Sequence, residues 1–254
     1  MNKILAFFAA LLILASCKDN SSEPSNSPLL PMDEGNYWIY EHYDKDTLGN
    51  IQESSLEYDS TAVHGPVTIN GRSGMVFRSY FRSPGNNYDL EDYTDDYYSE
   101  DNDHLYAHTS VMTDMLGGFL TPDEIGLEEG WLRIIDRNQN IWPIDTVKID
   151  TINIPFLGIP LYGDIIIMGS KNNTKSFTVK GENINATDYL IQFEFEGFTQ
   201  YNGFAIPIEF TQKQHYYFYS GIGLISQEVE QTKLPLINMT IPGQISILNN
   251  YKVK

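Results

Sequence analysis

Alternation of apolar and polar side chains with a period of two residues is the feature that most restricts this chain. In Tyr189-Leu190-Ile191-Gln192-Phe193-Glu194-Phe195-Glu196 the odd positions are aromatic or β-branched, and three of the four even positions are polar. A helix would scatter the odd positions around its circumference, whereas an extended strand puts them all on one face. The next stretch repeats the signal, with Ile206, Ile208, Phe210, Tyr216 and Phe218 against Glu209, Thr211, Lys213 and His215. Strands that are apolar on one face only must share a core, which calls for antiparallel sheet.

Turn chemistry agrees. Gly49-Asn50, Asn70-Gly71, Asn172-Asn173 and Asn202-Gly203 separate apolar-rich runs, and Asn and Gly accept positive φ at low cost, so each reads as a hairpin signal. Gly221 and Gly223 mark a bend before Leu224 to Val229, and Pro207 belongs at a sheet edge or a bulge. Roughly ten to thirteen strands result, from Tyr37–Tyr43 to Ile245–Val253, enough for a large curved antiparallel sheet, a half-barrel or open barrel, with long loops. One short helix is expected, with Thr121 as N-cap, Pro122 at the first position and Glu124 closing a capping box. The apolar run Ile152 to Met168 is interrupted by Pro155, Gly158, Pro160, Gly163 and Asp164, which argues against a membrane-spanning helix. With no internal repeat and no second Ser/Pro linker, residues 31–254 read as a single β-rich domain.

Residues 1–30 have a different character. Lys3 and an apolar run from Ile4 to Ala15, much shorter than the ~20 residues a spanning helix needs, form a signal-peptide pattern over residues 1–16. Its end, Leu14-Ala15-Ser16-Cys17, resembles the lipobox of bacterial lipoproteins. That resemblance implies cleavage before Cys17 and attachment of diacylglycerol to its sulfur, with a third acyl chain, such as palmitate, on its nitrogen. Two or three long chains anchor durably where one holds only reversibly. The partner so implied is a membrane and the location the cell envelope, at the outer membrane, facing either the periplasm or the cell surface. Residues 17–30, Ser/Pro-rich and without hydrophobic period, read as the lipidated Cys and a flexible tether with a reach of roughly 20 Å. Cys17 is the only cysteine of the chain, which excludes a disulfide framework and a thiolate metal cluster. A formal net charge of -18 excludes a nucleic-acid partner, because the phosphate backbone would be repelled.

The most unusual stretch runs from Tyr88 to Asp103, where eight acids are interleaved with Tyr88, Tyr93, Tyr97 and Tyr98. It permits two readings. Tyr93, Tyr97 and Tyr98 could stack on sugar rings while Asp95 and Asp96 accept hydroxyl hydrogen bonds; alternatively the stretch is a solvated loop leading into a hairpin, Tyr97-Tyr98-Ser99 then His104-Leu105-Tyr106. An irregular Ca²⁺ site is compatible with so many oxygens. The regular calcium loop is not: Asp101-Asn102-Asp103 and Asp136-x-Asn138-x-Asn140 lack the required Gly and closing Glu, and the second reads as a turn. His104 and His108 have the spacing of a helical zinc pair, but their neighbours favour strand, where they stand about 13 Å apart. No metal ligands and no cofactor are therefore assigned. His42, His64 and His215 read as exposed strand residues. Gly71-Arg72-Ser73-Gly74-Met75 lacks the last Gly of a serine-hydrolase elbow, and no catalytic residue is assigned. Thr47, Ser60, Thr146 and Thr151 each follow an Asp in triplets resembling the O-glycan acceptors of some exported bacterial proteins.

Five segments together resemble β-rich lipoproteins whose mature domain opens with Gly-Asn-x-Trp-x-Tyr. Here they are Gly35-Asn36-Tyr37-Trp38-Ile39-Tyr40, Ile69-Asn70-Gly71, Leu105-Tyr106, Gly221-Ile222-Gly223-Leu224-Ile225 and Leu248-Asn249-Asn250-Tyr251. The resemblance implies a half-barrel related to lipoprotein carriers; a long middle insertion, about residues 111–170, leaves its closure open. The leading expectation is a non-enzymatic, lipid-anchored envelope protein whose concave sheet holds an apolar ligand or a partner protein. Trp38, Tyr40, Phe77, Phe193, Phe195 and Phe210 would line that side, although the same residues also suit a plain core. A surface glycan-binding module and a carboxylate-dependent hydrolase are the alternatives. A carrier needs an enclosed cavity, a glycan binder an exposed row of tyrosines, and a hydrolase two carboxylates across a cleft.

Overall fold

Strands dominate the computed structural model, which describes residues 27–112, 125–153, 160–201, 203–234 and 239–254. In chain order they are β1 (Tyr37–Asp44), β2 (Glu57–Ile69), β3 (Arg72–Arg82), β4 (Thr94–Glu100), β5 (His104–His108), β6 (Trp131–Asp136) and β7 (Ile141–Asn153). There follow β8 (Pro160–Val179), β9 (Glu182–Tyr201), β10 (Phe204–Tyr219), β11 (Gly223–Val229), β12 (Thr232–Leu234), β13 (Met239–Ile241) and β14 (Gln244–Lys252). Two single 3₁₀ turns, Glu53–Ser55 and Thr109–Val111, interrupt the loops. The helix expected at Thr121, Pro122 and Glu124 lies outside the described residues. No helix among the described residues is long and apolar enough to cross a membrane.

Twelve strands form one sheet in the order β6-β5-β4-β3-β2-β1-β14-β11-β10-β9-β8-β7, and β12 and β13 make a separate pair. The two edge strands, β6 and β7, are consecutive in the chain, separated only by residues 137–140. So short a link can join opposite edges only if the sheet curls until they meet. The result is a nearly closed antiparallel barrel, the all-β fold that the alternation requires. The link is fixed on both sides: Arg137 N–H donates to the Asp103 carbonyl (2.8 Å), and Lys171 N–H donates to the Asn140 carbonyl (2.9 Å).

The inner face follows the period. Tyr189, Ile191, Phe193 and Phe195 are all buried, and so are Ile208, Tyr216 and Phe218 on the neighbouring strand. At about 1.5–3 kcal/mol for each fully buried large apolar side chain, this face is the main source of cohesion. Pro207 lies where β10 pairs only with β9, since β11 pairs β10 from Gln214 onward. The missing N–H therefore costs no ladder bond on the β11 side.

One expected turn is in another place. Asn70 (φ 50°) and Gly71 (φ 79°) turn β2 into β3 as the sequence predicts. Asn172-Asn173 does not turn: β8 runs through it with only a register irregularity between Lys171 and Thr174. The reversal comes at Lys180 (φ 51°) and Gly181 (φ 80°). Asn tolerates a bulge as readily as a turn, and here the Asn172 side chain donates to Asp188 Oδ2 (3.0 Å).

Residues ahead of position 31 also belong to the folded body. Leu29 and Leu30 are 1% and 6% exposed. Their N–H groups both donate to Glu100, to Oε1 at 2.6 Å and Oε2 at 2.9 Å. The Arg137 guanidinium donates to the Ser27 carbonyl (3.1 Å), and Gly221 N–H donates to that of Pro28 (2.8 Å). Burial pushes the Glu100 carboxyl above its ordinary range, while these N–H donors and Arg137 pull it down. The segment thus plugs one end of the barrel.

Candidate functional site

Because the strands are antiparallel neighbours, all their turns fall at two ends of the barrel. The plugged end carries the β2–β3, β4–β5, β6–β7, β8–β9 and β10–β11 turns and the start of β1. The opposite end carries the longer connections, residues 45–56, 83–93 and 230–243. Between them is a cavity of about 680 Å³, its wall running from Leu30 and Trp38 at the plug up to Asp44, Glu57, Phe81 and Gln244 at the far end. The barrel is a cup with a floor and a mouth.

Three strands far apart in sequence build the floor. Trp38 Nε1–H donates to the Ile222 carbonyl (2.6 Å), and the Tyr40 hydroxyl donates to that of Leu224 (3.0 Å). In register, Trp38 faces Tyr251 and Tyr40 faces Leu248. Asn36, fully buried, accepts from Lys254 N–H (3.0 Å) and donates to the Pro31 carbonyl (3.2 Å). Three of the five segments singled out in sequence therefore meet at this floor, where they hold the barrel together. Phe77 stacks on Trp38 (5.9 Å between ring centroids), and Tyr98 meets Phe77 edge-on (5.2 Å).

The upper wall is polar. Asp59, 7% exposed, accepts from the Thr61 hydroxyl (2.9 Å), which also hydrogen-bonds Ser79 (2.7 Å). His42 Nδ1 is hydrogen-bonded to Ser246 Oγ (2.5 Å), and His42 Nε2 stands 3.7 Å from Asp59 Oδ2. Two atoms of this group are buried without a hydrogen bond: His42 Nε2 and Asp59 Oδ1. Burial, followed by the nearby Asp59 charge, holds the Tyr40 hydroxyl well above its ordinary range. Asp44, Glu57, Asp59 and Asp96 line the cavity, and no Lys or Arg among the described residues does.

Ser246, His42 and Asp59 have the side-chain types of a hydrolytic triad, but not its setting. Ser246 lies mid-strand between His42 on β1 and Gln227 on β11, so its backbone is committed to the two ladders. The pair of free N–H groups that an oxyanion hole needs is missing at that position.

Of the aromatic residues expected to line the concave side, Trp38, Tyr40 and Phe77 do so. Phe193, Phe195 and Phe210 lie elsewhere on β9 and β10, where Phe195 and Phe210 stack on each other (5.2 Å) within the packed core. The tyrosine-rich set does not assemble. β4 alternates, so Asp96 and Tyr98 face the cavity while Asp95 and Tyr97 face outward. Asp95 is held by a bidentate pair with Arg78 (2.7 and 2.8 Å), and the same guanidinium covers the Tyr93 ring at 3.9 Å. Period two thus splits Tyr97 from Tyr98, and no exposed row of Tyr93, Tyr97 and Tyr98 forms. The hairpin reading describes this stretch, with Ser99 opposite Tyr106.

His104 and His108 lie on β5 and bind different partners, Asp101 (2.9 Å) and Ser110 (3.0 Å). Asp136 is buried at the β6–β7 turn, where it accepts from Asn138 N–H and from Gln139. No group of three or more metal-ligating side chains comes together among the described residues. Thr47, Thr146 and Thr151 are exposed and Ser60 is half-buried; Cys17 lies outside the described residues.

His42 departs from the expectation of an exposed strand residue. It lies two residues beyond Tyr40 and four beyond Trp38, so the same period that buries those rings turns it into the cup. Asp59 and Ser246 left no local signal. They join His42 only through register, Asp59 opposite Tyr40 and Ser246 opposite His42.

No protein-family model matches the chain, and no curated protein sequence matches it. Two crystal structures are similar to it. One is of a "putative lipoprotein" from Parabacteroides distasonis ATCC 8503, with a TM-score of 0.48 and 13% identity over 89% of this chain and 99% of that one. The other is of a "putative exported protein with YmcC-like fold" from Bacteroides fragilis NCTC 9343, with a TM-score of 0.47 and 9% identity over the same shares of the two chains.

Proposed function

We propose that this chain is a lipid-anchored binding protein of the bacterial envelope, carrying no chemistry of its own, whose cup holds a small amphipathic ligand. The supporting observation is the cavity of about 680 Å³, floored by Leu30 and open at the other end. That volume lies in the ~300–1,000 Å³ range of small-ligand sites, and apolar walls with a few placed polar groups are their usual composition. The lining is mixed: Phe77, Val111 and Ile134 offer an apolar surface, while Asp59, Thr61 and Ser79 offer acceptors and hydroxyls. An apolar ligand alone would leave the second group unmatched, so a ligand with one polar end fits better. The signal-peptide pattern and Cys17 support the anchor and its placement at the outer membrane.

Titration of the protein with the neutral probe N-phenyl-1-naphthylamine tests the cup. Saturable, blue-shifted fluorescence is expected, and Leu224→Trp, which fills the half-buried wall, is expected to weaken it at least about tenfold. Equal binding by the two proteins would place the probe elsewhere and end this reading. Mass spectrometry of protein from its native membrane tests the anchor separately, through acyl mass on the peptide that begins at Cys17.

A further inference from the structure

We infer that the ligand of the cup is a primary ammonium on an apolar body, and that Asp59 is its anchor. This rests on the cup reading above and specifies the ligand's chemistry.

Asp59 is a buried carboxylate with an unfilled acceptor. The Thr61 hydroxyl donates to Oδ2, and Oδ1 has no hydrogen bond at all. A buried acceptor in that state calls for a donor; His42 Nε2 stands 3.7 Å from the other oxygen, beyond hydrogen-bond distance, so the cavity that Asp59 lines is where a donor can enter. Its register partners specify which kind. Asp59 lies directly between Tyr40 on β1 and Phe81 on β3, and all three line the cavity. His42 closes the group, its ring 6.5 Å from that of Tyr40 and 5.9 Å from that of Phe81. A carboxylate between aromatic rings suits an ammonium twice: the N–H groups fill the carboxylate, and the positive charge is drawn to the rings.

The charge of the wall points the same way. Asp44 and Glu57 join Asp59 along the cavity, and its described lining includes no Lys or Arg, His42 being its one basic side chain. A fatty acid or a phosphate head would be repelled by these carboxylates, whereas an ammonium is attracted by them. Phe77, Val111, Ile134 and Leu224 take the apolar body.

The test compares octylammonium, octan-1-ol and octanoate by isothermal titration calorimetry, using the full chain with Cys17→Ser so that no acyl group competes. Octylammonium is expected to bind at least about tenfold more tightly than octanol, and octanoate more weakly than either. Asp59→Asn is expected to remove that advantage and leave octanol binding within about twofold. Phe81→Leu, at a ring that is 49% exposed and so not needed for folding, is expected to lower octylammonium affinity about threefold and keeps the test open if Asp59→Asn fails to fold. Equal binding of the three compounds, or octylammonium binding unchanged in both variants, would overturn the assignment while leaving the cup in place. Binding of none of them, together with no response to the naphthylamine probe, would remove the cup and the assignment with it.

Discussion

Gly169 on β8 faces Trp142 on β7 in direct register, and the fully buried indole lies over the glycine backbone. A Cβ at Gly169 would stand 2.1 Å from Trp142 Cε2, so Gly169→Ala must displace the ring. Overpacking of this kind costs about 1–3 kcal/mol, to be read in chemical denaturation together with a changed near-ultraviolet circular dichroism of tryptophan. A second residue-scale prediction concerns pH. His215 is hydrogen-bonded to Asp188 (3.0 Å) and Glu230 (3.0 Å), and the Asp188 bond is the first cause of a pKa raised above the ordinary value. A base whose pKa is raised by folding stabilises the fold fully below its unfolded value of about 6.5, and loses that contribution as pH rises through the folded value. His215→Asn should therefore cost about 1.5 kcal/mol at pH 5.5 and clearly less at pH 9, in denaturation curves run at both.

Among the elements, the plug is the one whose hold on the barrel can be cut at a single side chain. Glu100→Ala leaves the Leu29 and Leu30 N–H groups without their acceptor, an expected loss of about 1–3 kcal/mol for the plug. Amide exchange at Leu29 and Leu30 should quicken at least about tenfold while the amides of β9 and β10 stay protected. Equal acceleration throughout would mean that the plug does not open separately. The strands themselves are readable because period two is a local signal: the alternation places β1 at Tyr37–Tyr43 and it spans Tyr37–Asp44, and it places the last strand at Ile245–Val253, which spans Gln244–Lys252. Asn172-Asn173 marks an irregularity rather than the turn because Asn serves a bulge as well as a turn, and Lys180 carries no such mark although it adopts positive φ. Tyr97 and Tyr98 part for a stricter reason, since adjacent residues of one strand point to opposite faces.

For the molecule as a whole, closure and the site depend on distant partners. Nothing local in Asp59 or Ser246 records that His42 stands near both; only the assembled register does. The same holds for the aromatic residues: Trp38, Tyr40 and Phe77 line the cup together with Tyr216 and Phe218 of β10, while Phe193, Phe195 and Phe210 pack elsewhere. A net charge of -18 on one barrel also implies self-repulsion that salt relieves. Raising sodium chloride from about 10 to about 150 mM should add roughly 1 kcal/mol, seen as about 2–4 °C in Tm. A fall in Tm would show that the ion pairs, such as Arg78 with Asp95, outweigh the repulsion.

The chain enters the barrel through its sealed base: Ser27 to Leu30 sit under the floor, and the opening lies at the other pole. The described chain therefore begins at the closed pole, opposite the exposed rim at Glu57 and Phe81. A molecule reaching the space above Leu30 past that rim meets Phe81 and Asp59 before it meets Trp38.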